Sequence, residues 1–415
     1  MSTAVVSALV KRLSVTSSTV EVVITTLAVE NYRSLRDLCI PVGPLTVVTG
    51  ANGSGKSSLY RAVRLLADVS RNGAVAALAR EGGLHSTLWA GPERGTKPGL
   101  RAQGTVRSVP VGLRLGFGGD EFGYAIDLGL PVPSGEPEAA KFNLDPAIKT
   151  EAAWSGPVLR PATSLTERHN DVVKIRGADG KWAPKPYPIQ QFDSMLSEFA
   201  DPEAAPELFR IRDRIRSWRF YDHFRTDADA PARAPQIGTR TPVLAHDGAD
   251  LAAALQTIVA AGRRPQLDEA IDSAFPGSRL EVQVEANGRF SLHLWQPGLL
   301  RPLGAPELSD GTLRYLLLAA ALLSPRPADL LVFNEPETSL HPDLLAPLGT
   351  LIAAVSERSQ IIVVSHADAL IRAIGRAAAE LRRDVGMVEL EKVNGETVLP
   401  GQGLLDSPLW FWPKR

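Results

Sequence analysis

Gly50-Ala51-Asn52-Gly53-Ser54-Gly55-Lys56-Ser57 fits the pattern G-x-x-x-x-G-K-[ST]. The short apolar run Leu45-Thr46-Val47-Val48-Thr49 precedes it and reads as a buried strand. Leu59, Ala62, Val63 and Leu66 follow it at helical spacing. Strand, glycine-rich turn and helix together make a phosphate cradle. The glycines let backbone N–H groups point inward, and the helix adds its positive N-terminal end. Lys56 is then placed to neutralise β- and γ-phosphates, and the Ser57 hydroxyl to ligate Mg²⁺.

Working outward, the final third alternates between helix and strand. It reads as a helix over about 313–323, a strand Leu330 to Phe333, a helix over about 342–356, a strand Ile361 to Val364 and a helix from Asp368. That alternation predicts a parallel α/β sheet. Strand ends in such sheets face ligands. The first strand ends in Asn334-Glu335 and the second in Ser365-His366. An acid at the first position would hold Mg²⁺; Asn334 offers an amide oxygen without the charge. Glu335 is the candidate base for an attacking water. Glu337, two residues on, is an alternative source of the missing charge. His366 is either a sensor of a γ-phosphate or a histidine satisfied at a strand edge. Leu308-Ser309-Asp310-Gly311-Thr312 opens the 313–323 helix. It is either a simple N-cap or a second anion site. Two phosphate sites on one chain suggest that each completes the site of a second copy.

The chain has 415 residues, 45 Lys+Arg against 46 Asp+Glu, and 44% hydrophobic residues. This is an ordinary globular composition with room for two or three domains. A net charge of −1 excludes a nucleic-acid binder that uses its whole surface. Cys39 is the single cysteine, which predicts a reducing, cytoplasmic compartment. No run of about 18 apolar residues predicts a membrane span. The first charge, Lys11, comes after the apolar start, the wrong order for a signal peptide. Between the ends, short strands and proline-rich stretches (131–137, 157–161, 183–188, 231–242) exclude a long coiled coil. Val172 to Arg176, Gly177 to Gly180 and Lys181-Trp182 read as a hairpin. From Arg210 to Arg225, arginines interleave with Phe209, Trp218, Phe220, Tyr221 and Phe224. Such a stretch is either a single-strand groove or a solvated helix packing its aromatics on the core, with Glu207, Asp213 and Asp222 pairing some arginines; the second reading is preferred.

Gly50 to Ser57, Ser309 to Thr312, Asn334-Glu335-Pro336-Glu337-Thr338-Ser339-Leu340-His341-Pro342 and Ser365-His366 stand in the order seen in ABC-type ATPase heads. The run from Glu335 to Pro342 resembles stand-alone AAA-family ATPases related to RecF and to the overcoming-lysogenization-defect (OLD) family. Asn31-Tyr32-Arg33-Ser34 resembles a stretch of SMC and RecF heads. The likeness covers roughly residues 22–130 and 245–400.

The resemblance implies a P-loop ABC-ATPase head of α/β class. Its parts would be a mixed central sheet, an antiparallel β-rich lobe and an inserted irregular and helical middle segment. The corresponding segments are an N-terminal extension 1–21, the first part of the head 22–130, an inserted lobe 131–245 and the second part of the head 246–415. ATP would be bound by Gly50, Ala51, Asn52, Gly53, Ser54, Gly55, Lys56, Ser57 and Ser58, with Arg33 at a phosphate. Ser309 and Gly311 would bind the γ-phosphate of ATP held by a second copy. Ser57 and Asn334 would hold Mg²⁺, Glu335 would activate water, and His366 would be the switch histidine. Leu340-His341 would lie at the dimer seam. Gln103 is the nearest candidate for the family's Q-loop.

The implied partners are a second copy joined through ATP, and DNA or an effector protein. The 415 − 366 = 49 residues after His366 are too few for the OLD nuclease domain. The expected function is an ATP-hydrolysing switch in DNA maintenance or phage defence. The alternative is a nucleotide-gated binding module with negligible hydrolysis, working with a separate effector.

Overall fold

The computed structural model describes residues 23–92, 110, 112–177, 179–185, 188–199, 202–203, 205–401, 403 and 407–415. The chain divides into two compact units. The first holds Pro44–Val47 and Arg219–Met387; the second takes in Val22–Gly43, Val48–Trp218 and Val388–Arg415. The division falls within the strand Leu45–Gly50, which leads into the glycine-rich turn. The fold is α/β with a large antiparallel sheet, as expected from the sequence.

In the first unit, strands Arg219–Tyr221, Leu330–Asn334 and Gln360–Val364 pair in parallel. Phe333 lies opposite Val363, and Asn334 opposite Val364, so both predicted site strands end level. Leu330, Val332, Ile361 and Val363 are fully buried, as strands covered on both faces must be. Helices Asp310–Leu322, Pro342–Val355 and Asp368–Glu380 run along these strands' sequence neighbours, close to the predicted bounds. A small antiparallel sheet joins Arg279–Val284, Arg289–Trp295, Gln236–Ile237 and Leu303–Gly304.

In the second unit, eight strands form one antiparallel sheet. The order is Leu35–Pro41, Thr26–Tyr32, Leu113–Gly118, Phe122–Gly129, Ala147–Ser155, Ser164–His169, Val172–Arg176 and Trp182–Pro184. The last two are the predicted hairpin. The helix Lys56–Asn72 buries Leu59, Ala62, Val63 and Leu66, the four residues whose spacing predicted it. Near the C-terminal end, the hairpin of Gly386–Val393 and Glu396–Val398 turns on Asn394-Gly395. Both turn residues have positive φ, the geometry that Asn-Gly favours.

The arginine-rich stretch is not one helix. A helix spans Pro206–Ser217 and a strand spans Arg219–Tyr221. Trp218, Phe220, Tyr221 and Phe224 are all buried, so apolar burial outweighs helical continuity here. The acid that pairs Arg210 and Arg214 is Glu121, at 3.4 and 2.6 Å, a partner that sequence neighbours could not reveal.

Candidate nucleotide-binding and hydrolysis site

The glycine-rich turn is held by its own backbone and by its neighbours. Gly55 has φ 109° and Gly50 φ 141°, values that side chains avoid. Beta-carbons there would also overlap the Thr397 hydroxyl and the Leu390 carbonyl, respectively. Ser54 N donates to Ala51 O at 3.1 Å, and Leu59 N to Gly55 O at 2.9 Å to open the helix. Lys56 is buried and its ammonium donates to Gly50 O (2.6 Å) and Ala51 O (2.9 Å). The cation thus lies curled against the loop's own carbonyls. Ala51, Asn52, Gly53 and Ser57 are exposed along the turn, and Ser58 is half-buried.

Thr397 holds the turn from behind, a contribution that the sequence did not reveal. Its hydroxyl donates to Ser54 O at 2.8 Å and shares a 2.8 Å hydrogen bond with the Ser34 hydroxyl. Thr397 N donates to Ser34 O at 2.8 Å. Arg33, expected at a phosphate, instead pairs with Glu81 and lies over the Tyr32 ring. Gln103 lies outside the described residues.

In the first unit, the strand-end residues gather. Glu335 N donates to Val364 O at 2.8 Å, extending the ladder one residue past Asn334. Glu335 then takes a left-handed conformation with φ 48°. For a residue with a β-carbon this costs of order 1–2 kcal/mol. Thr338 N donates to Glu335 O, and Leu340 N to Glu337 O, closing two tight turns. These turns bring Glu337 back to the neighbouring strand end. Glu337 Oε1 accepts from Ser365 Oγ at 2.7 Å and from His366 N at 3.2 Å. His366 Nδ1 lies 3.6 Å from Glu335 Oε1 and 3.5 Å from Glu337 Oε1. Glu335 and His366 are well exposed, whereas Glu337 is buried.

Arg314, buried on the Asp310–Leu322 helix, donates to Glu335 O at 3.2 Å and Pro336 O at 3.5 Å. Burial lowers its proton affinity, against the attraction of Glu337, Asp222 and Glu335. Asn334 Oδ1 and Glu337 Oε2 are buried with no hydrogen-bond partner among the described residues. Two buried oxygen acceptors left unpaired are the donor chemistry that a hard cation or its waters require. The residues present therefore fit the expected Mg²⁺.

Ser309 caps its helix. Its Oγ accepts from Thr312 N at 3.1 Å and pairs with Thr312 Oγ1 at 2.8 Å. Gly311 packs under Ser339 O, where a β-carbon would stand 3.0 Å away. The buried guanidinium of Arg233 organises the approach to this cap. It donates to Leu308 O (2.7 Å), Ala305 O (3.0 Å), Thr226 O (2.8 Å) and the Asp310 carboxylate (2.7 Å). No local pattern marks Arg233, because its contacts to the cap, at Ala305, Leu308 and Asp310, lie 72 to 77 positions along the chain. His341 caps the next helix through Asp343 N at 3.3 Å and is exposed.

Residues 45–372, which contain the turn, the Ser309 cap and both strand ends, match the model of a family described as "AAA domain, putative AbiEii toxin, Type IV TA system". The chain belongs to this AAA-domain family. A curated relative, an OLD nuclease of Thermus scotoductus, is 48% identical over 40 residues. That stretch spans 10% of this AAA-domain protein and 8% of the relative.

Among solved structures, an SMC head bound to the C-winged helix domain of ScpA aligns over 92% of this chain and 99% of its own, with TM-score 0.48 and 14% identity. The SMC head domain from Thermotoga maritima aligns over 92% and 99%, with TM-score 0.41 and 15% identity. An SMC head with an extended coiled coil from Pyrococcus furiosus aligns over 91% and 95%, with TM-score 0.45 and 13% identity. The family match and the OLD nuclease stretch bear out the resemblance read from the motifs. No described helix of this AAA-domain protein is long and apolar enough to cross a membrane.

Proposed function

We propose that this AAA-domain protein is an ATP-binding and ATP-hydrolysing switch that dimerises on ATP. The glycine-rich turn with Lys56 buried in it carries this reading. On binding, Lys56 exchanges the Gly50 and Ala51 carbonyls for β/γ-phosphate oxygens, while backbone N–H groups of Gly53 to Ser58 cradle the chain of phosphates. Glu335 accepts a proton from the attacking water, and His366 reports the γ-phosphate. Ser57 and Asn334 would hold Mg²⁺, which would supply charge neutralisation on the phosphates. Arg33 reaches a phosphate by leaving Glu81. Ser309 and Gly311 take the γ-phosphate of ATP held by a second copy.

The segments 22–130 and 246–415 form the head and 131–245 the inserted lobe, whose strand Arg219–Tyr221 joins the parallel sheet of the first unit. We place the protein in the cytoplasm, with DNA or a partner protein as effector. The switch would act in DNA maintenance or phage defence; the family description names a putative toxin of a type IV toxin–antitoxin system. Asn334, which brings no charge to the metal, favours a second reading: a nucleotide-gated module with negligible hydrolysis beside a separate effector. Steady-state phosphate release separates the two. Turnover abolished by Glu335→Gln supports the switch, and ATP binding without any turnover supports the gated module.

A further inference from the structure

Glu337 offers what Asn334 lacks. Mg²⁺ keeps several waters and is usually held by one or two carboxylates together with nucleotide phosphates. Resting on the nucleotide reading above, we infer that Glu337 Oε2, at the same strand-pair end as Asn334, makes the anionic contact to the shell of a nucleotide-bound divalent cation. The Glu337 side chain is only 7% exposed. Its Oε1 is committed to Ser365 Oγ and His366 N, which fixes the direction of the carboxylate. Its Oε2 is buried and meets no donor among the described residues.

The same holds for Asn334 Oδ1. Both oxygens stand at one strand-pair end, because Asn334 pairs with Val364 and Glu337 holds the two residues after Val364. Of the acids that act on Arg314, Glu337 acts most strongly, ahead of Asp222 and Glu335. No group of three His, Cys, Asp or Glu ligands exists among the described residues. Two protein oxygens leave the rest of the shell to waters and phosphate oxygens, so the cation is expected to bind together with ATP.

The test is the affinity for a fluorescent ATP analogue in EDTA and in Mn²⁺, whose ratio measures the metal's contribution. Bound Mn²⁺ is followed in parallel by electron paramagnetic resonance. Glu337→Gln keeps an Oε1 acceptor for Ser365 and His366 but replaces the anionic Oε2. It should lower the ratio tenfold or more, with a much smaller change in EDTA. N334D/E337Q, which moves the carboxylate to position 334, should restore the ratio to within about threefold. An unchanged ratio in Glu337→Gln would overturn the placement of the metal. So would an equal loss in EDTA and Mn²⁺, or a failed rescue, since these make Glu337 only an anchor for Ser365 and His366. A wild type that binds no nucleotide under either condition would overturn the nucleotide reading and this inference with it.

Discussion

The glycine-rich turn and the strand-end cluster solve opposite problems. At the turn, most polar groups are spent, with the buried Ser54 hydroxyl the exception. Lys56 holds two carbonyls, Thr397 holds Ser54 and Ser34, and Gly50 and Gly55 admit backbone and hydroxyl where no side chain fits. At the strand ends, polar groups are left unspent. Asn334 Oδ1 and Glu337 Oε2 are buried without donors, and Glu335 sits in a left-handed conformation. On the proposed reading, a phosphate chain would replace contacts already aligned at the turn, and the partners of the strand-end acceptors would come with the nucleotide.

The comparison breaks first at Lys56. Lys56→Ala removes a cation that makes charged hydrogen bonds, each worth about 1.5–3 kcal/mol. ATP affinity should fall by roughly a hundredfold or more, read by fluorescent nucleotide titration. An unchanged dissociation constant would remove the turn from the site altogether.

Arg233 tests the cap at Ser309. Arg233→Ala strips donors from several buried carbonyls, each costing about 1–3 kcal/mol when left unmade. It should weaken ATP-dependent dimerisation at least tenfold while Arg233→Lys recovers part of the loss. Intrinsic nucleotide affinity, measured at low protein concentration, should change much less. Equal losses in both would make Arg233 a general stabiliser.

Thr397 sharpens the account of the turn. Thr397→Val keeps the shape that Gly55 accommodates but leaves Ser54 O without its donor. Stability should drop by about 1–3 kcal/mol, and ATP affinity by roughly fivefold, with Thr397→Ser close to wild type. Thermal unfolding and nucleotide titration on the three proteins decide it.

The smallest effect is expected from the arginine-rich stretch. With Trp218, Phe220, Tyr221 and Phe224 buried, few rings remain for base stacking. Nucleic-acid binding there should be weak, with a log–log salt slope shallower than about −4. A steeper slope that is lost when Arg212, Arg216 and Arg219 become alanine would reverse the reading.

What the sequence disclosed follows the range of the interactions involved. The turn was legible because its glycines, lysine and flanking periodicities are neighbours. The strands Leu330–Asn334 and Gln360–Val364 were legible because burial on both faces leaves continuous apolar runs. Arg233, Thr397 and Arg314 were not, because their partners come from distant segments. Thr397 and Ser54 lie 343 positions apart, and Arg233 and Asp310 lie 77 apart. Glu337 was legible only as an alternative. Its burial and its grip on Ser365 depend on turns at Glu335 and Ser339 that need positive φ from non-glycine residues. For Arg33, the motif pointed to phosphate, and its pairing with Glu81, 48 positions on, was not legible because that acid comes from another segment.

The most direct test of the switch is the mass in solution of Glu335→Gln with and without ATP and Mg²⁺, by light scattering across a concentration series. The substitution keeps the nucleotide bound while removing the base. The account predicts a monomer without ATP and twice that mass with it, reversed by the additional change Ser309→Arg, which blocks the second anion site. A protein that binds ATP yet stays monomeric at every concentration would contradict it.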